Sequence, residues 1–175
     1  MDKLRKMLGS ATSPYIVSLM RLIETQSKTT ITKWCVDYAE EHILHIYEGA
    51  YPEDFRPRNA LNASRDYIEG KIKLGDAKKF LREATAAARE AEENPIAQAA
   101  ARAVAQAAAS INTLTNSLAL AFYGSAAIAY ARVGISEESD VYDQIAAEEC
   151  NKMEEALRLI AVENEENPAK INWNC

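Results

Sequence analysis

At 175 residues, with 48% hydrophobic and 26% charged, the chain is long enough to bury the core of one ordinary domain and is not of a disordered class. A net charge of −6 and the lack of any Lys/Arg-rich segment argue against a nucleic-acid surface. Three cysteines, Cys35, Cys150 and Cys175, without motif spacing argue against a disulfide framework and a zinc site, and favour a reducing compartment.

Residues 1–8 are charged and lack the apolar core of a signal peptide, so a cytoplasmic chain is expected. Ser13-Pro14 is a helix start, because serine caps and proline fits the first helical position. The helix over 14–26 turns Ile16, Leu19, Met20 and Ile23 to one face. After a polar stretch at 27–30, a second helix is predicted over 31–48, with Ile31, Cys35, Ala39, Ile43 and Ile46 as its stripe. Residues 49–56 read as a loop, with Arg56 extended because it precedes a proline. Pro57 opens a helix to residue 69, stopped by Gly70. The next helix, 76–93, has a narrow stripe of Ala77, Leu81, Ala84, Ala88 and Ala91. Asn94-Pro95 marks a break and restart.

Between Arg102 and Arg132 no residue is charged, and alanine dominates. Alanine loses no side-chain entropy on entering a helix, so helices are predicted over 95–111 and 118–132. A helix without charge has to be covered all round, which makes this pair the central hairpin. Polar residues, among them Gln106, Ser110 and Asn112, argue against a membrane span. The interruption from Asn112 to Asn116 is a turn. Ser136 and Ser139 are candidate caps for the last long helix, whose apolar face is Tyr142, Ile145, Ala146, Cys150, Met153, Leu157 and Ile160. The tail from Asn164 is irregular, and Trp173 is expected to dock back. No strand, linker or repeat is visible. The fold class is all-α, a single-domain bundle (1–175) of about seven helices around an alanine-rich hairpin.

No catalytic or cofactor motif is present. Asp37, Glu41 and His45 recur every four residues, but the Glu-x-x-His and His-Glu-x-x-His patterns of metal sites are missing, so no metal or cofactor is expected. His42 reads as a hydrogen-bonded histidine at the core edge. Arg56, Arg58 and Arg65 could grip a phosphate or carboxylate ligand, although pairing with loop acids is the commoner use. Asn112 and Asn116 could line a small polar pocket, although capping of the two helix ends is commoner. His42, Arg56, Arg58, Asn112 and Asn116 are therefore the candidate binding residues. Cys35 and Cys150, on apolar stripes, read as inert.

Three segments carry a resemblance: WCVDYAEEHILHIYEGAYPEDFRPRNALNASRDYIEGK, AAAREAEENPIAQAAARAVAQAAASINT and NSLALAFYGSAAIAYARVG. Together, over residues 34–134, they resemble the bacterial putative immunity proteins of polymorphic toxin systems. YPEDFRPRNAL and the arginine-spaced alanine run are the most specific pieces. The resemblance implies a non-enzymatic protein that neutralises a cognate toxin by binding it. The chain departs from the family's pattern by carrying asparagines at 112 and 116, where relatives often have histidines, so no ligand role of those histidines carries over. An acidic surface would suit a basic toxin, and the acidic edges are Asp37, Glu40, Glu41 and Glu48, then Glu90, Glu92 and Glu93, then Glu163, Glu165 and Glu166. The alternatives are a small-molecule-binding or catalytic bundle with a pocket near Asn112, Asn116 and His42, and a homo-oligomer built through the alanine hairpin.

Overall fold

The computed structural model describes residues 3–174. They form eight helices and no strand: α1 (Pro14–Ile23), α2 (Lys28–His42), α3 (Leu44–Ala50), α4 (Arg56–Ile68), α5 (Leu74–Glu90), α6 (Pro95–Ala109), α7 (Asn116–Val133) and α8 (Ser139–Ile160). The expected breaks lie at the expected residues. Pro14 opens α1, Asn94 caps α6 by accepting from the Ala97 N–H at 3.0 Å, and Gly134 takes a positive φ of 82° behind α7.

The eighth helix comes from a division that the periodicity does not show. The helix predicted over 31–48 is broken at Ile43, whose φ of −122° lies outside the helical range. The break turns both Ile43 and its neighbour Leu44 into the core. Two starts also differ from expectation. Arg56 is the first residue of α4 rather than extended, because its N–H and guanidinium both donate to Asp54, at 3.1 and 2.9 Å. The residue before α8 is Glu138, and neither Ser136 nor Ser139 occupies the cap position.

A helix of alanines gains burial only by lying close to many neighbours. α6 does so, packing against α2, α3, α4, α5 and α7. Eight of its alanines and Val104 are buried. The bulk comes from its neighbours: Trp34, Tyr47 and Leu61 are all buried in the same core. Except for Thr32 Oγ1, the buried side-chain polar atoms of the described residues have partners, several of them across helix seams. Ser64 Oγ donates to the Ala108 carbonyl at 2.8 Å, joining α4 to α6, and Trp34 Nε1 donates to the Met153 carbonyl at 2.9 Å, joining α2 to α8.

α7 is not covered all round. Phe122, Tyr123 and Ile128 are half-buried and Ala131 is exposed, so two flanks of this helix, uncharged as far as Arg132, face grooves. The N-terminal segment lies along α7, with Leu8 fully buried and its N–H donating to the Phe122 carbonyl at 3.1 Å. The tail is held by buried Gln26, which accepts from the Val162 N–H at 2.7 Å and donates to the Val162 carbonyl at 3.2 Å. Trp173 does dock, donating from Nε1 to Glu24 at 2.7 Å. Among the described residues no helix is long and apolar enough to cross a membrane.

Gly124 sets how close α7 lies to its neighbours. A Cβ there would sit 2.8 Å from Ile43 Cδ1 and 3.2 Å from Met153 Cε. Gly124→Leu is expected to lower stability by about 2–3 kcal/mol through overpacking, measured by urea unfolding. Gly124→Ala should move far less, since about 1 kcal/mol of helix propensity offsets the displacement of Ile43.

Candidate functional site

The arginines of YPEDFRPRNAL bind the chain itself. Arg56 Nη2 lies 2.8 Å from Asp54 and 2.6 Å from Glu90, tying the loop before α4 to the end of α5. Asp54 also accepts from the buried Tyr47 hydroxyl at 2.5 Å. The Arg56 guanidinium holds the Asp54 carboxyl down to about 2, and burial pushes the Tyr47 hydroxyl up. Arg58 bonds Glu48 at 2.6 and 2.8 Å, and Arg65 pairs with Asp37 at 2.9 Å and with Glu40. Burial opposes the charge of Arg65, but Glu40 and Asp37 outweigh it. Three of the four carboxylates in the first acidic edge are thus matched inside the α2–α3–α4 lattice, which leaves Glu41.

The other candidates are far apart. Asn112 is exposed in the α6–α7 turn, and Asn116 Nδ2 donates to the Ala109 carbonyl at 3.4 Å, closing that turn. His42 lies across the molecule, in a groove lined by Ile128 and Arg132 of α7. The twelve-residue step from Asn116 to Ile128 along α7 is about 18 Å, so no single pocket joins His42 to the asparagines. Arg58 joins neither. Asp37, Glu41 and His45 do not share a helical face either, because the break at Ile43 puts His45 on α3. Among the described residues no group of three or more His, Cys, Asp or Glu side chains could hold a metal. The thiols of Cys35 and Cys150 are buried, which raises both, Cys150 to about 12.

The His42 groove has the more unusual chemistry. It runs between the α2–α3 corner, α7 and α8, with a volume of about 600 Å³. One wall is the His42 ring tilted at 42° against Tyr38, centroids 4.4 Å apart, with Nε2 3.6 Å from Glu41. Apolar area comes from Ile46, Ile128, Ala156 and Leu159. Leu159 is 87% exposed, and Ile160 and Val162 after it in the chain are also exposed. The expected apolar face of the last helix therefore stops at Leu157, and Ile160 faces outward. At the base, Glu149 is only 3% exposed. Arg132 reaches it from α7 at 2.5 Å and Lys152 from α8 at 3.0 Å. Burial raises the Glu149 carboxyl, but the hydrogen bonds and charges of Arg132 and Lys152 outweigh burial and hold it below its ordinary value.

The segment that carries α8, one wall of the groove, concentrates the negative charge of the chain. Between Ser136 and Asn167 there are eleven Asp or Glu residues and only two basic ones, Lys152 and Arg158. That is a segment charge of −9 in a chain of −6, so the remainder is net positive. The signal is visible in sequence as a charge asymmetry between segments, but a search for motifs passes over it.

The linkage at Glu149 can be tested. Its lowered value means that it contributes stability above the unfolded carboxylate range and loses it as pH falls. In Arg132→Met/Lys152→Met, burial alone acts and the shift reverses, so the contribution falls as pH rises. The double variant is expected to lose about 2 kcal/mol at pH 7 and distinctly less at pH 4, in urea titrations at the two values. Equal losses would mean that the buried charge is not the cause.

No curated protein and no solved structure matches this chain. A family model does, described as "Imm-5 like putative immunity protein", over residues 21–156. The match runs from within α1 to within α8, and so includes the arginine lattice, the alanine helices and the Glu149 groove except Leu159. On that extent, this chain belongs to the Imm-5 like family of putative immunity proteins.

Proposed function

We propose that this chain neutralises a cognate bacterial toxin by direct, non-enzymatic binding in the cytoplasm, and that it docks the toxin on α8 and the adjoining groove. Family membership over residues 21–156 is the observation that carries this reading. The surface chemistry supports it. Interfaces of this kind combine an apolar centre with a charged rim. Here Ile128, Ala156 and Leu159 form an apolar strip beside His42, bordered by Glu41, Glu148 and Glu155. A strongly negative segment suits a basic effector, such as one that acts on nucleic acid, because opposite charge speeds encounter. His42 is the residue from the sequence reading that this surface includes. Arg56 and Arg58 support it indirectly, by fixing the α2–α4 lattice behind it.

The test begins with the reading frame beside this gene. Its product, co-expressed with the chain, is expected to co-purify and to lose toxicity. Glu148→Lys/Glu155→Lys places two reversals on exposed α8 positions and is expected to slow association at least tenfold at low ionic strength, with the difference shrinking as salt is added. A folded wild-type chain that neither binds nor protects against a toxic neighbour would overturn the reading.

A further inference from the structure

Gln98, Arg102 and Gln106 recur every four residues on α6 and are half-buried, the polar stripe of a helix otherwise made mostly of alanine. All three line a cleft of about 640 Å³ between α5, α6, α7 and the N-terminal segment, on the flank of α7 that carries Tyr123. Its walls bring together Lys3, Arg5, Lys6, Arg89 and Arg102, against one carboxylate, Glu92. Arg5 is paired with Asp143 at 2.9 Å. Among the described residues the other four cations make no ion pair.

This contrasts with the arginines at the helix seams. Arg56, Arg58, Arg65 and Arg132 each hold two carboxylates. Cations gathered on one concave surface repel one another unless an anion lies between them. The arrangement is also fixed. The segment that carries three of the cations is anchored by Leu8 N–H on the Phe122 carbonyl and by the Tyr130 hydroxyl on the Arg5 carbonyl, at 3.1 and 2.5 Å. Burial raises that hydroxyl to about 12, so it stays a donor.

We propose that this cleft binds a compact ligand with two or more adjacent phosphate groups, free or on a nucleoside, held by Lys3, Lys6, Arg89 and Arg102. The volume falls within the range of small-ligand sites, about 300–1,000 Å³. A long polyanion fits poorly, because beyond Lys3 and Arg5 it meets the acidic α7–α8 loop, with Glu137 and Glu138. The site is separate from the proposed toxin surface and does not depend on it.

Calorimetric titration of the full chain with adenosine triphosphate and with inorganic triphosphate tests the assignment. At about 0.05 M salt, at least one is expected to bind with a Kd of about 100 μM or tighter, and at about 0.5 M at least tenfold more weakly. Arg89→Glu/Arg102→Glu should weaken binding at least tenfold. Lys3→Glu/Lys6→Glu, at exposed positions of the N-terminal segment, should do the same with the helices untouched. Lys28→Glu, on α2, should change nothing. The assignment is overturned if neither compound binds, if the charge reversals leave affinity unchanged, or if a short DNA duplex binds more tightly than both.

Discussion

Everything in this fold depends on helices lying close to α6. Its buried side chains are methyl groups and one valine, so they reach no distance, and each contributes little alone. Burying a methylene gives about 0.8 kcal/mol, so an alanine face stabilises only if neighbours close over it without gaps. Five helices do so. Their own large residues, Trp34, Tyr47 and Leu61, then fill the space that alanines leave. Gly124 extends the same rule to α7, where the absence of a Cβ makes room for Ile43 and Met153.

Close packing of small residues leaves no room for charge in the interior, so charge is displaced to the seams, where it is ordered. Arg58 and Arg65 stitch α4 to α2 and α3, Arg56 joins the loop before α4 to α5, and Arg132 joins α7 to α8. Most of these pairs are partly exposed, and each contributes about 1 kcal/mol or less. Glu149 differs because it is buried. Its two cations offset a desolvation cost that would otherwise neutralise it. Arginines whose commoner use is pairing with neighbouring acids, with a ligand as the alternative, are found on the acids.

Most of the helix pattern was legible because the chain marks it with breakers: Pro14, Asn94-Pro95 and Gly134 each stand at a helix end. What could not be read was set by tertiary contact. Ile43 breaks a helix without any Pro or Gly, because two adjacent core residues must both point inward. Arg56 enters the helix despite the following proline, because Asp54 satisfies both its N–H and its charge. The candidate site was less legible than the fold. His42 could be singled out, but its partners Glu149 and Arg132 are on helices more than eighty residues away. The stripe Gln98, Arg102, Gln106 was present in the sequence, yet its meaning depends on the N-terminal segment lying across it.

The single charge of α7, Arg132 in its last turn, has a physical consequence for both surfaces. Arg132 is engaged by Glu149 and Glu148, so the two uncovered flanks take their sign largely from what packs beside them. On one flank α8 supplies carboxylates. On the other, the N-terminal segment, α5 and α6 supply lysines and arginines. One helix therefore separates the acidic α8 segment from a positive cleft. The ties that hold it, Arg132 to Glu149 on one side and Tyr130 to the Arg5 carbonyl on the other, end on residues of the two grooves. Tyr130 also meets Tyr142 of α8 edge-on at 5.0 Å. The N-terminal segment, α7 and α8 thus form one packed layer. A change in the position of α7 alters both grooves together, and the tight fit of Ile43 against Gly124 opposes such a change.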